Sequence, residues 1–301
     1  MIDSFALSKD RHVHSIMIRG ISTHLFAAGR LDLEQLEAAV SSGFERIEIF
    51  ALKPHFDYQN RQFTSKIASW FSDHDRLLHS IHTPFSTDYQ AGGSSGWLSI
   101  GDLEKLKREK ALDEIRRALE LAEKIPFRYA MVHMGSPDDP YTPKHLDAIY
   151  YSLEILIPFA RDRGVSLALE NIPNQLSPIE KILRFLEETQ LAEVGICFDS
   201  GHSNLLASPL EEIEMAGKRI VTTHLHDNHG QNDEHLLPFE GSISWPGVLE
   251  SFDKINYQGC LLLELKAGNR DPFDVLKLAF QSFDRFKKCQ DELAERKSRE
   301  E

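Results

Sequence analysis

The chain is poor in cysteine, and the little it has is scattered. Cys197, Cys260 and Cys289 are widely spaced and odd in number, which excludes a disulfide framework and a Cys-x-x-Cys zinc pair. They read as reduced core or surface thiols. Long apolar runs are missing as well: no stretch of about 18 uncharged apolar residues occurs, so no segment reads as a membrane span. The opening "MIDSFALSKDRHVHS" has neither a basic start followed by an apolar stretch nor a small-residue cleavage site. The expected location is therefore the cytoplasm. Positive charge is short too, with 34 Lys and Arg against 47 Asp and Glu and a net charge of −13. That balance disfavours a nonspecific grip on nucleic acid or anionic lipid. Low-complexity segments, internal repeats and a Gly-rich phosphate turn after the first strand are all absent.

What is present is a regular beat. A hydrophobic fraction of 41% and a charged fraction of 27% are ordinary for a soluble chain with a large core. Short β-rich runs alternate with helical patterns, beginning with "HSIMIRGIS" and the amphipathic "LDLEQLEAAVSSG", where Gly43 stops the helix. Further strand candidates are "ERIEIFA", "LLHSIHTP", "RYAMVHMG", "VSLALENIP", "VGICFDSG", "IVTTHLHD" and "GCLLLELK", making eight with the first. Helical segments fall at 103–124, 143–163, 178–189, 209–217 and 273–296. Eight strand–helix beats without a composition break predict an α/β fold of the (β/α)₈ TIM-barrel class. The 301 residues are expected to form one such domain, with a core of about 15–285 and a charged helical tail that frays. The Gly- and Ser-rich connection 85–102 is longer than a structural loop needs and reads as a mobile lid.

Side-chain parity then sorts each strand, because alternate residues face the barrel interior and the helices. In "VSLALEN" the helix-facing set is Val165, Leu167 and Leu169, which turns Ser166, Ala168 and Glu170 inward. In "VGICFDS" Gly195, Cys197 and Asp199 point in, while Ile196 and Phe198 point out. Thr222, His224 and His226 share one face, and Glu264 interrupts a leucine-rich strand. A buried charge without a partner costs several kcal/mol, so a recurring pattern needs a cause. His82, His133, Glu170, Asp199, His202, His224, Asp233, His235 and Glu264 all come from strands three to eight or the turns after them. Imidazole and carboxylate without thiolate suit zinc, manganese, iron or cobalt. Nine donors exceed what one ion can use, so the remainder bind further ions, act as hydrogen-bonded support or hold substrate.

At "VHMGS", "LENIPN", "CFDSGH" and "HLHDNHGQNDEHLLPFEGSISW" the sequence resembles the sugar phosphate isomerase/epimerase superfamily of xylose-isomerase-like barrels, which also contains endonuclease IV. The resemblance runs from about residue 15 to 285. In its isomerase and epimerase branch it implies Glu170, Asp199, His224 and Glu264 as ligands of a divalent ion, zinc or manganese foremost. The two glutamates double as the acid–base pair, and His202 touches substrate. The endonuclease branch implies a set around three metals, and its pattern falls on all nine positions above. One to three ions are therefore expected. The motif "HTPFSTDYQ", however, lacks the residues that resemble the endonuclease's DNA-probing loop. The mouth loops hold few cations, among them Arg30, Lys53, Lys266 and Arg270, beside more acids, whereas gripping a duplex takes several Lys or Arg contacts.

The leading expectation is a metal-dependent isomerase or epimerase of a small carbohydrate, with proton transfer through an enediolate by Glu170 and Glu264. A dehydratase or lyase would use the same constellation. A multinuclear phosphodiesterase is the second reading and a non-catalytic sugar-binding barrel the third. His202, His226 and Lys266 are candidate substrate contacts. His226 and Asp227 are read as supporting partners of the ligands or as purely structural, and His229 as an exposed loop residue. Trp245 is read as core packing at a helix start, with Pro246 in the first helical turn. Phe85 and Trp97 are placed in loop packing or an apolar wall for a sugar face. His12, His14, His24, His55, His74, His79 and His145 receive no role. A homo-oligomer is compatible with the resemblance, and nucleic acid is disfavoured as a partner.

Overall fold

The computed structural model describes residues 17–75, 77–90 and 93–300; His12 and His14 lie outside them. All eight expected runs form strands of one parallel sheet: β1 (Ile18–Ser22), β2 (Arg46–Phe50), β3 (Leu78–His82), β6 (Tyr129–His133), β7 (Ser166–Glu170), β8 (Gly195–Asp199), β9 (Ile220–His224) and β10 (Cys260–Leu263). The order β10-β1-β2-β3-β6-β7-β8-β9 follows the chain around a ring. The last seam, between β9 and β10, is joined just past β9, where Leu225 donates to Leu262 O at 2.8 Å and Glu264 to Leu225 O at 3.2 Å. The result is a nearly closed (β/α)₈ barrel, as the alternation predicts.

Helices α1 (Leu33–Ser41), α2 (Arg61–Ser72), α3 (Lys105–Leu119), α4 (Pro143–Arg161), α5 (Ile179–Glu188), α6 (Ser200–Leu206), α7 (Pro209–Ala216), α8 (Trp245–Lys254) and α9 (Pro272–Glu300) follow their strands. Their ends obey local rules. Asp32 and Gln35 form a capping box for α1, and Gly43 with φ +100° ends that turn in a conformation that disfavours a side chain. Thr142 caps α4, and Pro143 occupies its first turn. In α5 the buried Ile179, Ile182, Phe185 and Leu186 lie on one face and pack against the sheet.

The parity reading holds. Leu167, Leu169, Ile196 and Phe198 belong to the large core between strands and helices, whereas Tyr129, Met131, Ala168 and Cys197 form a separate small cluster inside the barrel. Segment 85–102, read as a lid, carries an antiparallel hairpin, β4 (Ser86–Gln90) with β5 (Gly93–Trp97). Tyr89 ties it to the barrel by donating its N–H to Lys53 O at 3.0 Å. The charged tail continues α9 as helix to Glu300, and Arg296 pairs with Glu250 of α8 at 2.8 Å. Among the described residues no helix is long and apolar enough to cross a membrane.

Candidate active site

Strand register decides what meets at the barrel's carboxyl end. Phe50 pairs with His82, His133 with Glu170, and Asp199 with His224. Residues far apart in sequence therefore end their strands at one level and point inward together. Glu170, 1% exposed, is the hub. Its Oε2 accepts from His133 Nε2 at 3.1 Å and lies 3.2 Å from His82 Nε2, and its Oε1 lies 3.0 Å from His224 Nδ1. Burial opposes ionisation, but these imidazoles outweigh it and hold the carboxyl well below the usual range. Glu264 takes the opposite course. Burial, reinforced by the charges of Glu170 and Glu48, pushes it up to about 7 against the pull of His224 and His82.

Asp199 caps α6 by accepting the His202 N–H at Oδ1, 2.7 Å away. This is how the Asp-x-x-His spacing turns His202 back over the strand end. Asn171 locks the same corner, donating to Asp199 O at 2.9 Å and accepting from Asp199 N at 2.7 Å. His202 is buried, yet Asp199 and Asp233 push it up to about 10. Beyond β9 the loop carrying Asp233 and His235 is organised by the fully buried Asp227. That carboxylate accepts from the N–H groups of Asn228, Phe239 and Ile243 at 2.9, 3.0 and 3.1 Å and from Trp245 Nε1 at 2.8 Å. Trp245 thus combines core packing with a hydrogen bond that fixes the loop. His226 stacks on His235 with ring centroids 3.9 Å apart, and its Nε2 lies 3.1 Å from Asp199 Oδ1 without hydrogen-bond alignment.

All nine residues singled out in the sequence converge, and they divide into groups whose donor atoms lie within 4.8 Å of one another: Glu170, Asp199, His224 and Glu264; His82, His133 and Glu170; and His202, His226, Asp233 and His235. His226 thereby joins the donors directly. His229 stays outside, exposed and paired with Glu234 at 2.9 Å. Lys266 stands at the rim and donates to Asp233 O at 3.3 Å.

The donor set fits divalent ions. His82, His202 and His235 each use Nδ1 on a backbone carbonyl at 3.0 Å, of Thr83, Asn171 and Glu264 respectively. Burial lowers the pKa of His235 to about 4 and keeps it neutral, so its Nε2 lone pair faces Asp233 Oδ2 at 2.9 Å, an arrangement that repels unless a cation lies between. Asp199 Oδ2, Asp233 Oδ1 and Glu264 Oε1 are buried with no hydrogen-bond partner. The cavity above them holds about 430 Å³. Phe85 forms its wall, stacked on His133 at 4.7 Å and on Trp97 at 5.8 Å. Cations at the mouth are largely spoken for, Arg270 by Glu240 at 2.9 Å and Lys53 by Glu114 at 3.3 Å.

Two site residues escaped the sequence reading. Glu48 in β2 is fully buried beneath the donors, and the parity that exposes Glu170 applies equally to "RIEIF". His24 follows β1 in a 3₁₀ turn, where no strand period reaches, and its Nε2 lies 2.7 Å from Tyr89 OH.

Residues 36–289 match the model of the xylose isomerase-like TIM barrel family. The chain belongs to that family. An uncharacterized protein of Methanocaldococcus jannaschii is 30% identical over 197 residues, covering 62% of this chain and 64% of the relative's own length. A probable endonuclease 4 of Natranaerobius thermophilus is 29% identical over 177 residues, 56% of this chain and 58% of that protein. A fructoselysine 3-epimerase of Escherichia coli O157:H7 is 23% identical over 262 residues, 81% and 90% of the two chains. Among solved structures, a D-tagatose 3-epimerase-like protein superposes with a TM-score of 0.75 at 24% identity, over 92% of this chain and all of the other. The IOLI protein with a binding zinc atom superposes at 0.70 with 17% identity, over 90% and 96%. The proteins this chain is similar to thus carry both epimerase and endonuclease names.

Proposed function

We propose that this chain is a divalent-metal-dependent isomerase or epimerase of a small, sugar-like carbonyl compound. The observation that carries the reading is the pair Glu170 and Glu264, buried with Asp199 and His224 in one donor group at the floor of the cavity. Glu170, held ionised by imidazoles, is suited to take a proton from the carbon beside a carbonyl. Glu264, whose buried Oε1 has no hydrogen-bond partner, is suited to return one. Asp199, His224 and the two glutamates would hold the ion, which supplies Lewis-acid polarisation of adjacent substrate oxygens and so eases enediolate formation. His202 presents a protonated ring to a substrate oxygen, with Lys266 at the rim. Phe85 and Trp97 offer an apolar face to the C–H side of the sugar and keep water from the reacting carbon. The likeness to proteins named as 3-epimerases supports the same class of substrate.

The test is solvent exchange. Zinc- or manganese-loaded protein is incubated in D₂O with ketoses, inososes and 3-keto glycosides, and deuterium appears beside the carbonyl of the true substrate. Glu170→Gln removes that incorporation. A second reading, phosphodiester hydrolysis, rests on the two further donor groups, which exceed what proton transfer needs. It also rests on the likeness to a probable endonuclease 4. Cleavage of an abasic-site duplex, with no exchange into any ketose, would replace the first reading by the second.

A further inference from the structure

His82, His202 and His235 share a device: a backbone carbonyl takes the Nδ1–H, which leaves Nε2 for the cavity. His224 is built the other way round. Its Nδ1 faces Glu170 Oε1 at 3.0 Å and Glu264 Oε2 at 3.8 Å, so Nε2 points down into the barrel. There it meets Glu48 Oε2 at 3.1 Å. Ser80 Oγ donates to the same oxygen at 2.8 Å, while Oε1 has no hydrogen-bond partner. Both Glu48 and His224 are 0% exposed.

We infer that Glu48 is a positioning residue that keeps the His224 proton on Nε2 and thereby presents the Nδ1 lone pair to a metal ion. Carboxylates face both ring nitrogens, Glu170 at 3.0 Å from Nδ1 and Glu48 at 3.1 Å from Nε2. Only Glu170 belongs to the donor group an ion would join, so with the ion on the Nδ1 side the proton is left on Nε2, where Glu48 accepts its hydrogen bond. Met131, Ala168 and Cys197 share the barrel interior with the buried hydroxyls of Ser80 and Thr222, and a carboxylate buried there costs more than an aliphatic side chain would. A carboxylate persists here because the imidazole above it needs an anionic acceptor. Such outer partners orient the ring and raise its basicity, and losing them typically weakens metal binding by about 10–100-fold.

This inference rests on the metal-dependent reading but is tested without any sugar. Metal-free full-length protein, Glu48→Gln and Glu48→Met are titrated with Zn²⁺ against a competing chelator, and melting temperatures are recorded on the metal-free forms. Wild type binds zinc, Glu48→Gln binds about 10-fold more weakly, and Glu48→Met about 100-fold more weakly. In the zinc-loaded wild type, long-range ¹H–¹⁵N correlations place the His224 proton on Nε2. Variants that bind within twofold of wild type, or a proton found on Nδ1, overturn the inference while leaving the proposed function standing. The titration is repeated with Mn²⁺ if zinc does not bind, and a wild type that takes up neither ion sinks both. Should Glu48→Met fail to fold, Glu48→Gln and the tautomer measurement decide the matter.

Discussion

Asp227 is the residue on which the metal-side loop depends, and replacing it by alanine gives a prediction with a definite size. Four donors converge at 2.8–3.1 Å on its fully buried carboxylate. A buried donor left unpaired costs about 1–3 kcal/mol. Relief of the buried charge and partial relaxation offset some of that, so a net loss of about 4 kcal/mol is expected. A chain of 301 residues gains about 0.6 kcal/mol/K of unfolding entropy near its midpoint, so Asp227→Ala should lower the melting temperature by about 6 °C. Calorimetry on the metal-free protein reads this directly. The same loop carries Asp233 and His235, so zinc stoichiometry should fall with it while the Glu170 group still binds. A melting temperature within 2 °C of wild type would refute the reasoning, because it would mean that the four hydrogen bonds are replaceable by water.

Other perturbations follow from single contacts. Glu170→Gln should lower turnover by about 10³-fold with circular dichroism unchanged; retention of more than a tenth of the activity would remove Glu170 from the proton-transfer step. Gly201→Ala should displace His226, whose ring a methyl group at that position would overlap. Zinc bound by the His202, His226, Asp233 and His235 group should then weaken more than stability does, and unchanged binding would show that His226 is not a donor. His55 is fully buried, bonded through Nδ1 to Gly29 O at 2.7 Å, and burial lowers its pKa to about 4. The folded protein keeps it neutral while the unfolded chain protonates near 6.5, so its contribution is fully present above that pH. The contribution is lost as pH falls from 6.5 to 4. On the order of 3 kcal/mol should disappear over that window, and His55→Gln should flatten that part of the stability–pH curve in denaturant titrations.

The alternation of short apolar runs with helical patterns determined the barrel, because strand and helix periods are local properties that survive without knowledge of the fold. Parity within "VSLALEN" and "VGICFDS" likewise determined that Glu170 and Asp199 face inward. The same rule read along "RIEIF" already contained Glu48. What only the tertiary structure decided is which inward groups stand at one height and which atom of each faces the others. That follows from interstrand register, from contacts across the barrel such as Glu48 to His224, and from contacts within its loops such as Asp227 to Trp245. The hairpin at 86–97 and the seating of His24 against Tyr89 also emerged only there. Period-two and period-3.6 patterns record which side of an element meets the core, but they carry no term for separation between elements, and metal-binding chemistry depends on that separation to within an ångström.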